Sequence, residues 1–218
     1  MDTAQKLLLL QTMGIEAYKL RNASRPGPDT ADLRAVAGLE ELERKIAKCE
    51  LCGLHKSRTT TVFGSGNPDA QVLFVGEAPG ADEDLQGKPF VGRAGQLLTL
   101  MLAALGWQRS DVYIANILKC RPPNNRNPLS DEIRQCEPNL IKQIELIQPQ
   151  LIVALGRIAA HNLLSTTTSI SRLRGKKHFY QKANIPLVVT YHPAYLLRNP
   201  IDKSKSWQDL LFIKSILN

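Results

Sequence analysis

Four short apolar segments, separated by stretches of helical periodicity, limit the possible folds more than any other feature of this sequence. They cover residues 71–76, 112–116, 151–156 and 186–191. Apolar runs of this length are typical of strands buried on both faces, as in a parallel sheet covered by helices. The sequence therefore predicts the α/β class, as a three-layer α/β/α domain around a central four-stranded parallel sheet.

Helices are predicted between and after these strands, at residues 92–105, 130–147, 157–164 and 206–217. Ser130 is expected to cap the second of them, because Glu132 follows in the first turn and Pro149 lies beyond the end. A further helix that ends at Cys49 is predicted before the first strand.

Residues 1–35 are predicted to form an N-terminal appendage, and residues 36–218 the main domain. The first 20 residues have an amphipathic pattern, and the prolines and glycine that follow indicate a flexible linker. The early apolar run at residues 7–10 is far shorter than the roughly 20 residues that a membrane-spanning helix needs. No cleavage site for a secretory signal follows it. We therefore expect a soluble, cytoplasmic protein without a membrane segment.

Each predicted strand is followed by an unusual turn, at residues 76–80, 116–123, 156–157 and 192–195. The carboxyl ends of parallel strands meet at one edge of a sheet, and ligands bind at that edge. The sequence therefore predicts a single functional site formed by these four turns.

The four cysteines have the spacing of metal ligands: Cys49 and Cys52 form a CxxC pair, and Cys120 and Cys136 follow. Four thiolates suit either zinc or an iron–sulfur cluster. Two disulfides are the alternative, which the lack of a secretory signal argues against. The wide separation of the second pair differs from compact zinc ribbons and favours a cluster, with a structural role.

The formal net charge is +8, and the excess lies in the second half of the chain, since residues 118–218 contain 15 Lys/Arg and 6 Asp/Glu. Such a surface favours a polyanionic partner, because basic side chains that neutralise phosphates release counterions. A solvated surface with a basic bias explains the charge equally well, so charge alone does not decide the partner.

Four segments together with the cysteines resemble the family-four, iron–sulfur uracil-DNA glycosylases. The segments are residues 76–84 (GEAPGADED), 87–95 (GKPFVGRAG), 116–123 (NILKCRPP) and 192–198 (HPAYLLR). The resemblance runs from about Leu39 to the C-terminus. It implies the fold of that superfamily, a structural [4Fe–4S] cluster on the four cysteines, and hydrolysis of the bond between uracil and deoxyribose in DNA, which leaves an abasic site. Zinc remains the less favoured alternative for the metal.

The resemblance also implies which residues bind uracil. Phe90 would stack on the base, and the amide of Asn116 would offer the donor and acceptor that uracil O4 and N3–H require. Better-known superfamily members carry Gly-Gln-Asp-Pro-Tyr at the first motif. Their catalytic Asp and thymine-blocking Tyr therefore correspond to Ala78 and Gly80 here, which we expect to line the pocket.

Three residues are candidates for the chemical step. By resemblance, His192 donates a hydrogen bond to uracil O2 and stabilises the departing anion. Since Ala78 cannot do acid–base work, Glu77 is the favoured group for positioning water, and Glu83 is the second candidate. The other histidines (His55, His161 and His178) are interpreted as surface residues or as residues with satisfied hydrogen bonds.

The expected partner is uracil-containing DNA, single- or double-stranded, bound by a monomer. Backbone at Gly64 and Ser65 is a candidate phosphate contact. A loop after His192 would supply Leu197 as an apolar wedge and Arg198 as a phosphate contact. The remaining candidate DNA contacts belong to one basic run and are Arg172, Arg174 and Lys176.

Two other functions are alternatives to the glycosylase interpretation. A non-catalytic, metal-stabilised DNA-binding or polymerase-associated module would not need Phe90, Asn116 and His192 at three separate strand ends. A covalent uracil-binding relative would carry a reactive histidine in a basic loop between the third and fourth cysteines, whereas residues 121–135 contain no histidine.

Overall fold

The structure is a computed structural model that describes residues 30–217. A six-stranded mixed sheet lies at its centre, in the order β1-β3-β2-β4-β6-β5. β2, β3, β4 and β6 run parallel, and β1 and β5 pair antiparallel at the two edges. The strands are β1 (Ser65–Gly66), β2 (Val72–Gly76), β3 (Tyr113–Asn116), β4 (Leu151–Leu155), β5 (His178–Tyr180) and β6 (Ile185–Thr190).

The α/β class is confirmed, but the sheet has six strands rather than the four predicted. The four parallel strands occupy the centre and coincide with the four apolar segments. The two edge strands have only two and three residues and are largely exposed or half-buried. Strands of this kind lack the apolar run that marks a buried strand, so no local pattern predicted them.

Eight helices are present in the described part of the chain. Four short 3₁₀ turns accompany them, at Gly53–Lys56, Arg109–Asp111, Pro123–Asn125 and Pro200–Asp202. No helix among residues 30–217 is long and apolar enough to cross a membrane. The helices are α1 (Thr30–Ala47), α2 (Ala81–Gln86), α3 (Arg93–Ala104), α4 (Ser130–Ile147), α5 (Arg157–Leu164), α6 (Ile170–Leu173), α7 (Pro193–Arg198) and α8 (Lys203–Leu217).

The core forms on both faces of the sheet because side chains alternate along each strand. Leu73 and Val75 of β2 pack with residues of α1, α4 and α5 on one face. Val72 and Phe74 pack with residues of α3, α7 and α8 on the other face. Each large apolar side chain buried in this way contributes about 1.5–3 kcal/mol. The resulting three layers hold the carboxyl ends of the parallel strands in a fixed arrangement.

Two details at helix N-termini differ from the sequence-based expectation: the extent of α1 and the residue that caps α4. α1 begins at Thr30 and runs across the proposed domain boundary at residue 35, while the helix and linker predicted for residues 1–29 lie outside the described residues. α4 covers the predicted range, but its N-cap is Leu129 rather than Ser130. Its first turn is held by Glu132, whose carboxylate accepts the backbone N–H of Leu129 at 2.8 Å.

Candidate active site

A pocket of about 420 Å³ opens at the carboxyl edge of the sheet, where the turns after β2, β3 and β6 meet. All seven residues predicted for catalysis or base binding line it: Glu77, Ala78, Gly80, Glu83, Phe90, Asn116 and His192. The other lining residues are Pro79, Ala94, Pro122, Asn125, Arg126, Asn127, Ala194, Tyr195 and Arg198. The structure thus brings together three of the four predicted turns and the segment around Phe90, whereas residues 156–157 do not line the pocket.

Asn116 lies in the wall of this pocket as the last residue of β3, and its side chain is only 2% exposed. Its Oδ1 is buried and has no hydrogen-bond partner, the only such side-chain atom among the described residues. Gly76 makes room for it, because a Cβ at Gly76 would lie 2.4 Å from Oδ1 of Asn116 and 2.6 Å from Cζ of Phe90. A buried acceptor without a partner costs free energy, so we expect a ligand to supply the hydrogen-bond donor for this atom.

Phe90 is 6% exposed and sits in a turn with φ of +54°. Its ring packs beside the imidazole of His192, with centroids 5.5 Å apart and ring planes 32° apart. The turn is held by Glu83: Oε1 accepts the backbone N–H groups of Val91 and Gly92, both at 2.9 Å, and Oε2 accepts that of Gly80 at 3.1 Å. The carboxylate of Glu83 is therefore engaged in shaping the pocket wall.

His192 caps α7 and has the extended backbone predicted for a residue before Pro193, with φ −67° and ψ 136°. Its Nδ1 accepts the backbone N–H of Ala194 at 3.1 Å. Burial, assisted by the positive charge of Arg198, lowers the pKa of His192 to about 4. The ring is thus neutral at physiological pH, with its proton on Nε2 as a donor.

Glu77 follows β2 directly, and its backbone carbonyl accepts the N–H of Leu118 at 3.0 Å. Burial raises the pKa of the Glu77 carboxyl group, and the positive charge of Arg157 opposes that shift. Ala78 and Gly80, the next residues of the turn that line the pocket, carry no acidic side chain. Glu77 is therefore the carboxylate best placed in this turn to accept a proton.

The pocket rim contains Asn125, Arg126 and Asn127, which the sequence analysis did not single out. Arg126 forms a bidentate ion pair with Glu132, at 2.9 and 2.6 Å, which ties this segment to the start of α4. Asn125 has φ of +54°. Asparagine is enriched at such positions, and the sequence Pro-Pro-Asn-Asn was the available signal for a sharp turn here.

The four cysteines line one small cavity between the end of α1, the segment after β3, and α4. All four are free of disulfides. Arg58 donates to Sγ of Cys120 at 3.2 Å, and the backbone N–H of Lys119 donates to Sγ of Cys136 at 3.3 Å. Burial raises the pKa of Cys120 to about 11. Thiols with these donors fit a centre that binds them as thiolates.

Lys119 supplies a second observation that fits a negatively charged group at this cavity. Its side chain is 1% exposed, and Nζ donates to the backbone carbonyl of Asn116 at 2.8 Å and to Oε1 of Gln143 at 2.5 Å. No carboxylate among residues 30–217 forms an ion pair with it. Because a buried charge needs compensation, thiolates held by a metal centre are the natural counter-charge.

Arg174 does not occupy the exposed position expected of a DNA contact. Its side chain is 10% exposed and forms an ion pair with Asp209 at 2.7 Å, and its guanidinium lies 4.4 Å from the ring centroid of Tyr191. The neighbouring Arg172 and Lys176 are exposed. Arg174 therefore stabilises the packing of α8 against β6, and its role as a DNA contact stays a prediction.

The segment after His192 is helix α7 rather than the loop that was expected. Leu196 packs into the core and is 1% exposed, Leu197 is half-buried, and Arg198 is exposed at the pocket rim. Pro193 at the first helical position explains the helix, because its fixed φ favours helix initiation. Gly64 and Ser65 lie at the start of the edge strand β1, with Ser65 paired to Ile114.

The other histidines have the satisfied hydrogen bonds that were predicted. A ring nitrogen of each contacts a backbone carbonyl: His55 that of Cys52 at 2.7 Å, His161 that of Thr168 at 2.8 Å, and His178 that of Leu173 at 2.7 Å. None of the three lines the pocket, so His192 is the pocket's histidine.

Residues 63–211 match the family model of the uracil DNA glycosylase superfamily. The chain is 49% identical to a type-4 uracil-DNA glycosylase of Archaeoglobus fulgidus, over 76% of this chain and 86% of that protein. It is 46% identical to type-4 enzymes of Sulfurisphaera tokodaii and Thermotoga maritima, over 74% of this chain and 77% and 84% of theirs. With this similarity and the pocket described above, the chain belongs to the type-4 family of the uracil-DNA glycosylase superfamily.

Proposed function

We propose that this protein hydrolyses the N-glycosidic bond between uracil and deoxyribose in DNA, releasing uracil and leaving an abasic site, the first step of base excision repair. The type-4 uracil-DNA glycosylases that it resembles carry this activity in their name. The observation that carries the proposal is the orphaned Oδ1 of Asn116, buried in a pocket wall beside Phe90 and His192.

Asn116 reads the base in this proposal. A uracil flipped out of the DNA stack would place its N3–H against Oδ1 of Asn116, and the amide nitrogen would donate to O4. Cytosine presents an acceptor at N3 and a donor at C4, so it would leave Oδ1 without a partner or face it with repulsion. Sites built to pair with one polar pattern reject the opposite one strongly, because buried groups are then left unsatisfied.

His192 stabilises the leaving group. As the C1′–N1 bond breaks, its electron pair moves onto the uracil ring and negative charge develops on O2. A neutral imidazole that donates from Nε2 stabilises this charge without transferring its own proton. The bond from Ala194 N–H to Nδ1 holds the ring in the required tautomer, and burial keeps it neutral.

Glu77 positions the attacking water. The water oxygen forms the new bond to C1′ of the oxocarbenium-like sugar as the uracil anion departs, and its proton passes to the carboxylate of Glu77. Burial favours this proton acceptance, since it raises the pKa of Glu77. Glu83 holds the Phe90 turn through three backbone N–H groups, and we assign it to shaping the pocket rather than to the water.

A [4Fe–4S] cluster on Cys49, Cys52, Cys120 and Cys136 is the metal centre that we propose, with a structural role. When bound, such a cluster supplies covalent links between the end of α1, the segment after β3 and α4. No group of three or more His, Cys, Asp or Glu side chains among residues 30–217 is arranged to hold one metal ion. A single cavity lined by all four cysteines fits a cluster that takes four thiolate ligands.

DNA contacts are proposed for three exposed cations. Arg198 lines the pocket, whereas Arg172 and Lys176 do not. Backbone at Gly64 and Ser65 and the side chain of Leu197 remain candidates for the same surface. Action as a monomer, in the cytoplasm, and on single- or double-stranded DNA stays a prediction.

The test is incubation of the purified protein with matched oligonucleotides that contain one uracil, one thymine or one cytosine, followed by alkaline cleavage. We expect cleavage of the uracil strand alone. His192→Ala should slow excision about 100- to 1,000-fold, the range found when one oxyanion donor is removed. His161→Ala, which alters a histidine outside the pocket, is the matched control and should retain the wild-type rate.

Three results would contradict the proposal. Wild-type excision by His192→Ala would remove the role of that donor. A folded wild-type protein that binds DNA without releasing uracil would be a non-catalytic module, and a stable protein–DNA adduct would indicate covalent capture of the abasic site.

A further inference from the structure

The turn that carries Phe90 is backbone-strained and needs support from its surroundings. Phe90 has φ of +54°, in a region that a bulky residue without functional cause rarely adopts. Its ring lines the pocket, next to the imidazole of His192 and so close to Gly76 that a Cβ at Gly76 would lie 2.6 Å from Cζ of Phe90. Whatever holds this backbone conformation therefore sets the position of the aromatic ring.

The amide side of the turn is held by Glu83, which accepts the backbone N–H groups of Val91 and Gly92. Glu83 lines the pocket, so its substitution would disturb the site directly. The backbone carbonyls of the same turn accept hydrogen bonds from a different side chain, which lies outside the pocket.

That side chain belongs to Arg109, in the 3₁₀ turn that precedes β3. One guanidinium nitrogen donates to the carbonyl of Pro89 at 2.7 Å, and the other donates to the carbonyl of Phe90 at 3.1 Å. Arg109 is half-buried and does not line the pocket. Burial lowers the pKa of Arg109, and the negative charge of Glu83 opposes that shift.

We propose that Arg109 is a positioning residue for uracil recognition, which acts by fixing the backbone carbonyls of Pro89 and Phe90 and thereby the ring of Phe90. The inference rests on the proposed function, since Phe90 is assigned there to stack on uracil. A planar guanidinium can bridge two adjacent carbonyls, whereas an ammonium or a thioether cannot reproduce that geometry.

Arg109 also borders an open hollow with Ser65, Gly66, Asn67 and Ser110 on the outer surface. A guanidinium there could instead bind a DNA phosphate. The two roles differ in what they affect: a positioning role changes affinity for the free base, whereas a phosphate contact changes affinity for DNA and its dependence on salt.

The test is a double-mutant cycle between Arg109→Met and Phe90→Ala, read by single-turnover uracil excision and by inhibition with free uracil. Arg109→Met alone should lower the excision efficiency roughly tenfold or more and weaken free-uracil inhibition by a similar factor. In the Phe90→Ala background the same change should cost less than about twofold, because the group it acts through is gone. Lys88→Met, at an exposed lysine next to the turn, is the matched control and should leave free-uracil inhibition unchanged.

Arg109→Lys keeps the charge but cannot bridge both carbonyls, so it should fall between wild type and Arg109→Met. Equal losses in both Phe90 backgrounds would overturn the proposal. A loss confined to DNA affinity with a smaller salt dependence would overturn it too, in favour of a phosphate contact. If wild-type protein neither excises nor binds uracil, the proposed function fails and this inference fails with it.

Discussion

The imidazole of His192 is held neutral by two features of its surroundings. Nδ1 already accepts a hydrogen bond from Ala194 N–H, so protonation there would break that bond. Burial and the nearby charge of Arg198 lower the pKa of the ring to about 4. A group that stays neutral through the physiological range can donate to a developing anion at any of those pH values. The same shift makes the stability of the protein depend on pH.

Between pH 6.5 and about 4, the His192 ring takes up a proton in the unfolded chain but not in the folded one. The free energy of unfolding should therefore fall as the pH falls through this window. From pH 7 to pH 5 the wild type should lose about 2 kcal/mol more than His192→Gln, which has no titrating ring. Denaturant unfolding at both pH values measures this difference.

His161→Gln is the control for that measurement, since it removes a histidine and leaves His192 in place. It should show the wild-type change with pH. Equal changes in wild type and His192→Gln would show that the ring does not have the depressed pKa.

At the scale of elements, the pocket depends on how closely α3 approaches the Phe90 turn. Gly95 lies in the first turn of α3, and a Cβ there would lie 1.8 Å from the carbonyl oxygen of Phe90. The neighbouring atoms are backbone, which cannot rotate away. The helix and the turn therefore form one unit, with Arg109 and Glu83 on either side of it.

Gly95→Ala tests this contact. Alanine in a helix interior is normally worth about 1 kcal/mol more than glycine, so an unhindered site would gain stability. Here the clash should dominate, with a loss of about 1–3 kcal/mol in the free energy of unfolding and a weaker affinity for free uracil. Thermal unfolding and inhibition by uracil measure the two effects.

Gly53→Ala is the matched control, because nothing lies within 4 Å of a Cβ at that position. It should unfold close to the wild-type temperature. If Gly95→Ala were as stable as Gly53→Ala and bound uracil equally well, the close approach of α3 to the turn would have no functional consequence.

The elements predicted from the sequence are those whose own residues contain a recognisable pattern. The central strands and α4 are marked by apolar runs or by periodicity, which arise from burial against the rest of the fold. Strand β1 and helix α7 were missed, since two residues at a sheet edge carry no periodicity and the Tyr195–Arg198 segment was expected as a loop.

The site could be predicted only where a residue type itself points to chemistry. Asn116, Phe90 and His192 belong to motifs with a known chemical use, and the structure brings all three to one pocket. The positive φ of Phe90, the bridging by Arg109 and the burial of Lys119 result from contacts between distant segments. Neither residue type nor spacing encodes such contacts in a single sequence.

For the whole molecule, several cations of the basic second half are paired within the fold and are not free to contact a polyanion. Arg174 is paired with Asp209, Arg126 with Glu132, and Lys182 with Glu137. Arg198 forms no ion pair among the described residues and lies exposed beside the pocket. Fewer of the 15 Lys and Arg side chains of this half are therefore free to contact DNA than the sequence count suggests.

Substitutions at Arg174 and Arg198 should distinguish a cation that is paired within the fold from one that contacts DNA. Arg198→Gln should reduce the slope of log affinity against log salt for a uracil-containing duplex by about 1, because one phosphate contact is lost, and should leave thermal stability unchanged. Arg174→Met should leave that slope unchanged. It should cost about 3–5 kcal/mol in unfolding free energy, since the buried carboxylate of Asp209 loses its partner.

DNA binding measured between 50 and 200 mM salt, together with denaturant unfolding, gives both quantities for each variant. Each variant serves as the control for the other, because both remove one positive charge from the same half of the chain. If Arg174→Met lowered the salt slope while the protein stayed fully stable, Arg174 would be a DNA contact after all. The ion pair with Asp209 would then open when DNA binds, and the guanidinium of Arg174 would be free to contact a phosphate.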